Sequence, residues 1–97
     1  MEIIFYENRN GEKPAEEFIN SLDKKLRVKV ERVIQALAQD GSMLGMPFSK
    51  YLDDGIYELR ASLASNTARV LYFFIVGNCA VLTHGFIKKT QDRKSVV

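Results

Sequence analysis

The apolar positions change their period along the chain, and each change marks an element. Residues 1–7 begin Met1-Glu2-Ile3-Ile4-Phe5 and are rich in Ile, Phe and Tyr, which predicts a short strand. Asn8-Arg9-Asn10-Gly11 is a turn cluster. Pro14 then stands where a first helical residue belongs, followed by Glu16 and Glu17, acids suited to the positive end of a helix. The short helix they start buries Phe18, Ile19 and Leu22. Asp23 is placed to cap a longer helix, in which Leu26, Val30, Val33, Ile34, Leu37 and Ala38 follow a 3.6-residue period and Gly41 supplies the stop. With so little chain between them, the two helices should form a hairpin.

From Ser42 to Ser49 the pattern is irregular, with Gly45 and Pro47 as breakers. Beyond Asp53-Asp54-Gly55 the period shortens to two, predicting strands over Ile56–Leu63, Ala68–Val76 and Cys79–Phe86. Gly77-Asn78 has the form of a two-residue hairpin turn. The expected fold is α+β: an N-terminal strand, a helical hairpin, then a three-stranded antiparallel meander (β-α-α-β-β-β), with the helices on one face.

Strand arithmetic assigns side chains to faces. Residues alternate across a strand, and directly opposed residues share a face. A two-residue turn at Gly77-Asn78 sets Val76 opposite Cys79 and Leu71 opposite His84, with Arg69 diagonal to the imidazole. A tight loop at Ala64-Ser65 sets Arg60 opposite Arg69. Arg60, Arg69 and His84 are therefore expected on one face with Glu58, joined by Lys88 if the last strand continues. Leu71, Phe73, Ile75, Leu82 and Phe86 are expected on that face too. Tyr57, Leu59, Ala61, Val70, Tyr72, Phe74 and Val81 should line the other, under the helices. Two guanidinium forks and an imidazole on one sheet face suit a phosphate. A structural reading competes residue by residue: Arg60 could serve only to pair with Glu58 or Asp54, and a histidine at a strand end is commonly just hydrogen-bonded.

Composition narrows the classes. A chain of 97 residues, 46% hydrophobic, predicts one domain over 1–97. The longest apolar run, Val70 to Val76, falls far short of the roughly 20 residues of a membrane span, and the N-terminus lacks signal-peptide features. One cysteine, Cys79, and one histidine exclude an internal disulfide and argue against a structural metal site. The expectation is a cytoplasmic protein without membrane contact and without a cofactor. The net charge of +2 is unevenly spread: residues 1–23 hold six acids and two bases, residues 24–40 five bases and two acids. Lys25, Arg27, Lys29 and Arg32 stand away from the long helix's apolar stripe, and residues 84–97 form a second basic segment. Two such segments suit a polyanion, although a solvated lysine-rich face gives the same pattern.

Three stretches carry a family resemblance: Lys50-Tyr51-Leu52-Asp53-Asp54-Gly55-Ile56-Tyr57-Glu58-Leu59-Arg60, Ala68-Arg69-Val70-Leu71-Tyr72-Phe73-Phe74, and His84-Gly85-Phe86-Ile87-Lys88-Lys89-Thr90-Gln91. In this order they resemble the HigB-type branch of the RelE/ParE toxin superfamily, in its phage-derived group, over roughly residues 2–91. The resemblance implies a RelE-like fold and the toxin of a toxin–antitoxin system, a ribosome-dependent, metal-independent mRNA endonuclease. It implies as partners the ribosome, mRNA and a helix-turn-helix antitoxin, with operator DNA met only through the antitoxin. It carries catalytic roles onto Arg60, Arg69 and His84, and RNA binding onto Lys50, Lys88 and Lys89. Cleavage of this kind uses the substrate's 2′-OH against the adjacent phosphate. That needs charge neutralisation and acid–base help, for which imidazole is suited by an ordinary pKa near neutrality. Family members usually continue into a lysine-rich C-terminal helix. The segment 90–97 is short for one, so the expectation is either a truncated tail with reduced cleavage or a natural short variant. A non-enzymatic ParE-type inhibitor of DNA gyrase on the same fold, and a pure binding module, are the alternatives.

Overall fold

The computed structural model describes residues 1–76 and 78–89. Strand β1 (Glu2–Phe5) leads to helices α1 (Pro14–Ser21) and α2 (Lys24–Asp40) and a 3-10 turn at Gly41–Met43. Four strands follow: β2 (Ser49–Asp53), β3 (Ile56–Leu63), β4 (Asn66–Ile75) and β5 (Cys79–Lys89). The α+β order expected from the periodicity is present. β2 is an addition that the pattern did not announce, because four of its five residues are exposed and no apolar alternation marks it.

The five strands form one sheet in the order β1-β5-β4-β3-β2. β2 through β5 are antiparallel, whereas β1 joins the edge parallel to β5, with Phe5 beside Leu82. The sheet is thus mixed, not purely antiparallel. The helical hairpin carries the chain from this edge back over the sheet, α1 packing on β5 and α2 on β3. The expected end signals act as expected: Pro14 opens α1, the Asp23 carboxylate accepts the Leu26 N–H at 3.3 Å, and Gly41 ends α2 at φ 57°. α2 then turns Leu26, Val30, Val33 and Leu37 onto Leu59, Ala61, Val70, Tyr72, Ala80 and Leu82. Among the described residues no helix is long and apolar enough to cross a membrane.

Register differs from the expectation at one end of the β4–β5 hairpin. Ile75, not Val76, pairs with Cys79, and Gly77 of the expected turn lies outside the described residues. The pairing is displaced by one residue until Thr83, where a bulge between Tyr72↔Leu82 and Leu71↔His84 restores the expected match. Between turn and bulge the parity is inverted. Leu82 therefore faces the helices, fully buried, and Val81 takes the opposite face, a correction to the expected assignment of both. The segment 90–97, where the shortened tail was expected, lies outside the described residues.

Two close fits tighten the structure, one tying β2 to β4 within the sheet and one seating α1 on β5. Ser49 and Tyr72 share a buried hydroxyl–hydroxyl hydrogen bond of 2.5 Å, and burial raises the Tyr72 phenol above its ordinary pKa, the bond to Ser49 opposing in part. At Gly85 there is no room for a side chain. A Cβ would come 2.4 Å from the Phe18 ring of α1 and 2.9 Å from the Arg69 carbonyl oxygen. The ring could swing away, but the carbonyl belongs to the β4–β5 ladder. Gly85→Ala is expected to cost about 1–3 kcal/mol by overpacking, read as a lower midpoint in chemical denaturation. An unchanged midpoint would show that α1 is not held this closely.

Candidate functional site

The register lays the helix-free face out in rungs that run across the strands. One rung is Lys50, Glu58, Leu71 and His84, contributed by β2 to β5 in turn. The next is Arg60, Arg69 and Phe86. The third is Ser62, Thr67 and Lys88. The turn at Ala64-Ser65 has the length that this needs: Leu63 pairs with Asn66, and Arg60 stands directly opposite Arg69. Ala64 accepts φ 56° to close it. His84 is diagonal to Arg69, at the roughly 7–8 Å backbone separation that an arginine side chain can bridge.

Of the residues named from sequence, Lys50, Arg60, Arg69, His84 and Lys88 therefore share the open face. Lys89 pairs with Asn66 and falls by alternation on the other side, at the end of β5. Both terminal lysines and Lys50 are exposed, as is His84, whereas the two arginines are half-buried.

Glu58 organises the arginines. It is buried, and its Oε1 accepts from Arg69 Nη1 at 2.8 Å while lying 3.6 Å from Arg60 Nε. One carboxylate oxygen thus faces two guanidinium groups from adjacent strands. The arrangement leaves the pair with an excess of positive charge and holds both groups near the sheet surface. A buried carboxylate is costly unless charged donors surround it, and here they do. The Arg60 Nη1 also lies 3.9 Å from the Met46 thioether, a weak contact toward the sheet edge. Arg69 Nε is buried without a hydrogen-bond partner among the described residues, an unsatisfied donor in the middle of the site. Of the two partners expected for Arg60, Glu58 is the one it faces, but the short contact belongs to Arg69 and Arg60 keeps the longer one.

The bulge defines the histidine. Thr83 Oγ1 donates to the Leu71 carbonyl at 3.2 Å and lies 3.3 Å from His84 Nδ1. A hydroxyl has one proton, and here it is already given to Leu71. The remaining contact works with His84 Nδ1–H as donor; in the neutral form of the ring that arrangement leaves the lone pair on Nε2. The role of Thr83 was not legible from sequence, because it arises from the bulge alone. The Glu58 anchor was nearly legible, since parity had already placed it on the arginine face.

The face is not uniformly polar. Beyond the bulge Ile56, Phe73, Val81 and Ile4 form an apolar rung next to the charged ones. Among the described residues no group of three or more His, Cys, Asp and Glu is placed to hold a metal ion. Chemically, the arrangement offers two forked cations, an exposed histidine held at Nδ1 and flanking lysines: the parts for gripping a phosphodiester and moving one proton.

A family model described as phage-derived protein Gp49-like (DUF891) matches residues 17–95. The match takes in every residue of the three rungs. No curated protein matches the chain.

If Glu58 holds the two arginines, Glu58→Gln removes their shared counter-charge while keeping the shape. Stability should fall by about 1–3 kcal/mol, measured by urea denaturation. No loss would mean that the arginines find their positions without it.

Proposed function

The chain belongs to the phage-derived Gp49-like family, known in the context of toxin–antitoxin systems, and from that premise we propose that it is a toxin that cuts messenger RNA on the translating ribosome. The observation that carries this reading is the placement of Arg60 directly opposite Arg69 on the helix-free face, with His84 diagonal to the pair. A gyrase inhibitor has no need of an acid–base group beside two phosphate-binding forks; an RNA-cleaving site does.

In this mechanism the arginines grip the non-bridging oxygens of the scissile phosphate and stabilise the charge that gathers there in the transition state. Their attachment to Glu58 keeps the forks in place before substrate arrives, so little reorganisation is needed during reaction. The neutral Nε2 of His84 takes the proton of the 2′-OH, the oxygen attacks phosphorus, and the bond to the 5′-oxygen breaks. Water supplies the proton that the departing oxygen needs. The products are a 2′,3′-cyclic phosphate and a free 5′-OH. Lys50 and Lys88, on the flanking rungs, and Lys89, at the strand end, hold the backbone of mRNA or ribosomal RNA. This chemistry runs without a metal or other cofactor. The partner is a helix-turn-helix antitoxin, which restrains the toxin in the cytoplasm and connects it to operator DNA. In finer classification the reading places the chain with the HigB-type toxins of the RelE/ParE superfamily.

Expression without the antitoxin should arrest growth, and primer extension should find discrete cuts within translated codons. His84→Ala should reduce those cuts about 100-fold or more, the usual weight of a general base, while antitoxin binding stays intact. Intact mRNA accompanied by DNA damage would replace this reading with gyrase inhibition, and no arrest at all would leave a binding module.

A further inference from the structure

The basic face of α2 has no part in the site above, yet two of its cations line one groove together with Arg60. β2 stops pairing with β3 at Ser49↔Leu59, and the Phe48 carbonyl takes the Arg60 N–H at 2.9 Å. Past that point the edge of β3 has no strand beside it among the described residues, and the gap between this edge and α2 is a groove of about 600 Å³. Lys29, Arg32, Val33, Phe48, Arg60 and Ser62 are among its lining residues, none of which is acidic. The volume lies in the range of small-ligand sites, roughly 300–1,000 Å³.

Taking RNA as substrate from the reading above, we infer that this groove is a second RNA-binding site, which receives the single strand flanking the scissile phosphate as it passes around the β3 edge. Four observations meet here. Lys29 and Arg32 are three residues apart on α2, hence neighbours on one helix face, and both are exposed. Neither has an ion pair among the described residues, whereas Arg60 and Arg69 share the single charge of Glu58. Phe48 keeps 48% of its surface exposed at the groove, a ring on which a base can stack. Arg60 lines the groove and also stands on the open face, so one guanidinium joins the two sites. Cations spaced along a groove with an aromatic platform between them are what single-stranded RNA binds without sequence reading. Of the five bases of α2, Lys29 and Arg32 line the groove, and Lys24, Lys25 and Arg27 lie outside it.

The test is fluorescence anisotropy of a labelled 2′-O-methyl oligouridine, which has no free 2′-OH and binds without being cut. The full chain is titrated at several salt concentrations. The double variant Lys29→Ala/Arg32→Ala should weaken binding and make the slope of log K against log salt shallower by about 1.4, the share of two phosphate contacts on a single strand. Phe48→Ala should weaken binding about fivefold or more through lost stacking. Lys25→Ala/Arg27→Ala should leave the slope as it is. All these positions are on the surface, and circular dichroism checks that each variant is folded. Wild-type affinity and slope in the Lys29/Arg32 double variant would overturn the inference, and so would failure of the wild-type chain to bind the oligouridine. A decaglutamate peptide that competes through Lys29 and Arg32, with Phe48→Ala without effect, would also overturn it by making the groove an acidic-peptide surface. The two readings fail separately. Oligouridine held in the groove with cellular mRNA intact keeps the groove and removes the nuclease; codon cuts with groove variants binding at full strength do the reverse.

Discussion

A buried carboxylate beneath two arginines is the constraint around which this protein is arranged. Glu58 is enclosed on β3, and its Oε1 is compensated by Arg69 at 2.8 Å and Arg60 at 3.6 Å. Removing a charge from water is tolerated only with charged donors close by, so Glu58 and the arginines require each other. The consequence reaches beyond stability. Two guanidinium groups from neighbouring strands, which would repel one another and wander in solvent, are brought side by side on a rigid sheet. They stand on the face that the helices do not cover.

Both α1 and α2 are committed to the other face. α1 sits on β5 so closely that Gly85 has no space for a side chain, and α2 lies along β3. The residue before Gly85 is His84, and the carbonyl that would collide with a Cβ at 85 belongs to Arg69. Helix packing on one side and site geometry on the other are thus set by the same few residues of the β4–β5 ladder. The bulge at Thr83 adds the last adjustment, returning His84 to the arginine side and giving its Nδ1 a partner.

Much of this was legible in the sequence, for reasons that can be named. Helix ends were marked by Pro14, Asp23 and Gly41, whose backbone and hydrogen-bonding preferences are local. The Arg60–Arg69 pairing followed from the parity of one short loop, and the structure closes that loop at Ala64-Ser65. His84 landed opposite Leu71 as expected, but by two compensating departures: a pairing displaced by one residue at Cys79 and a bulge that absorbs the difference. Val81 and Leu82, between the two, were assigned to the wrong faces, since a bulge leaves no trace in hydrophobic periodicity. β2 escaped notice because an exposed edge strand has no buried face to impose alternation. The parallel placement of β1 escaped as well, because a strand's own residues do not say which neighbour it will join. The groove at the β3 edge depends on where β2 stops, and no local pattern encodes that.

The central claim is that Arg60, Arg69 and His84 act together on one phosphodiester. It is tested most directly by NMR of the arginine side-chain and imidazole nitrogens during titration with a 2′-O-methyl dinucleotide, which binds but offers no hydroxyl for attack. The account predicts that the guanidinium signals of Arg60 and Arg69 and the ring signals of His84 shift together along one binding curve. Shifts confined to the lysines, or an imidazole that does not respond while the arginines do, would contradict it.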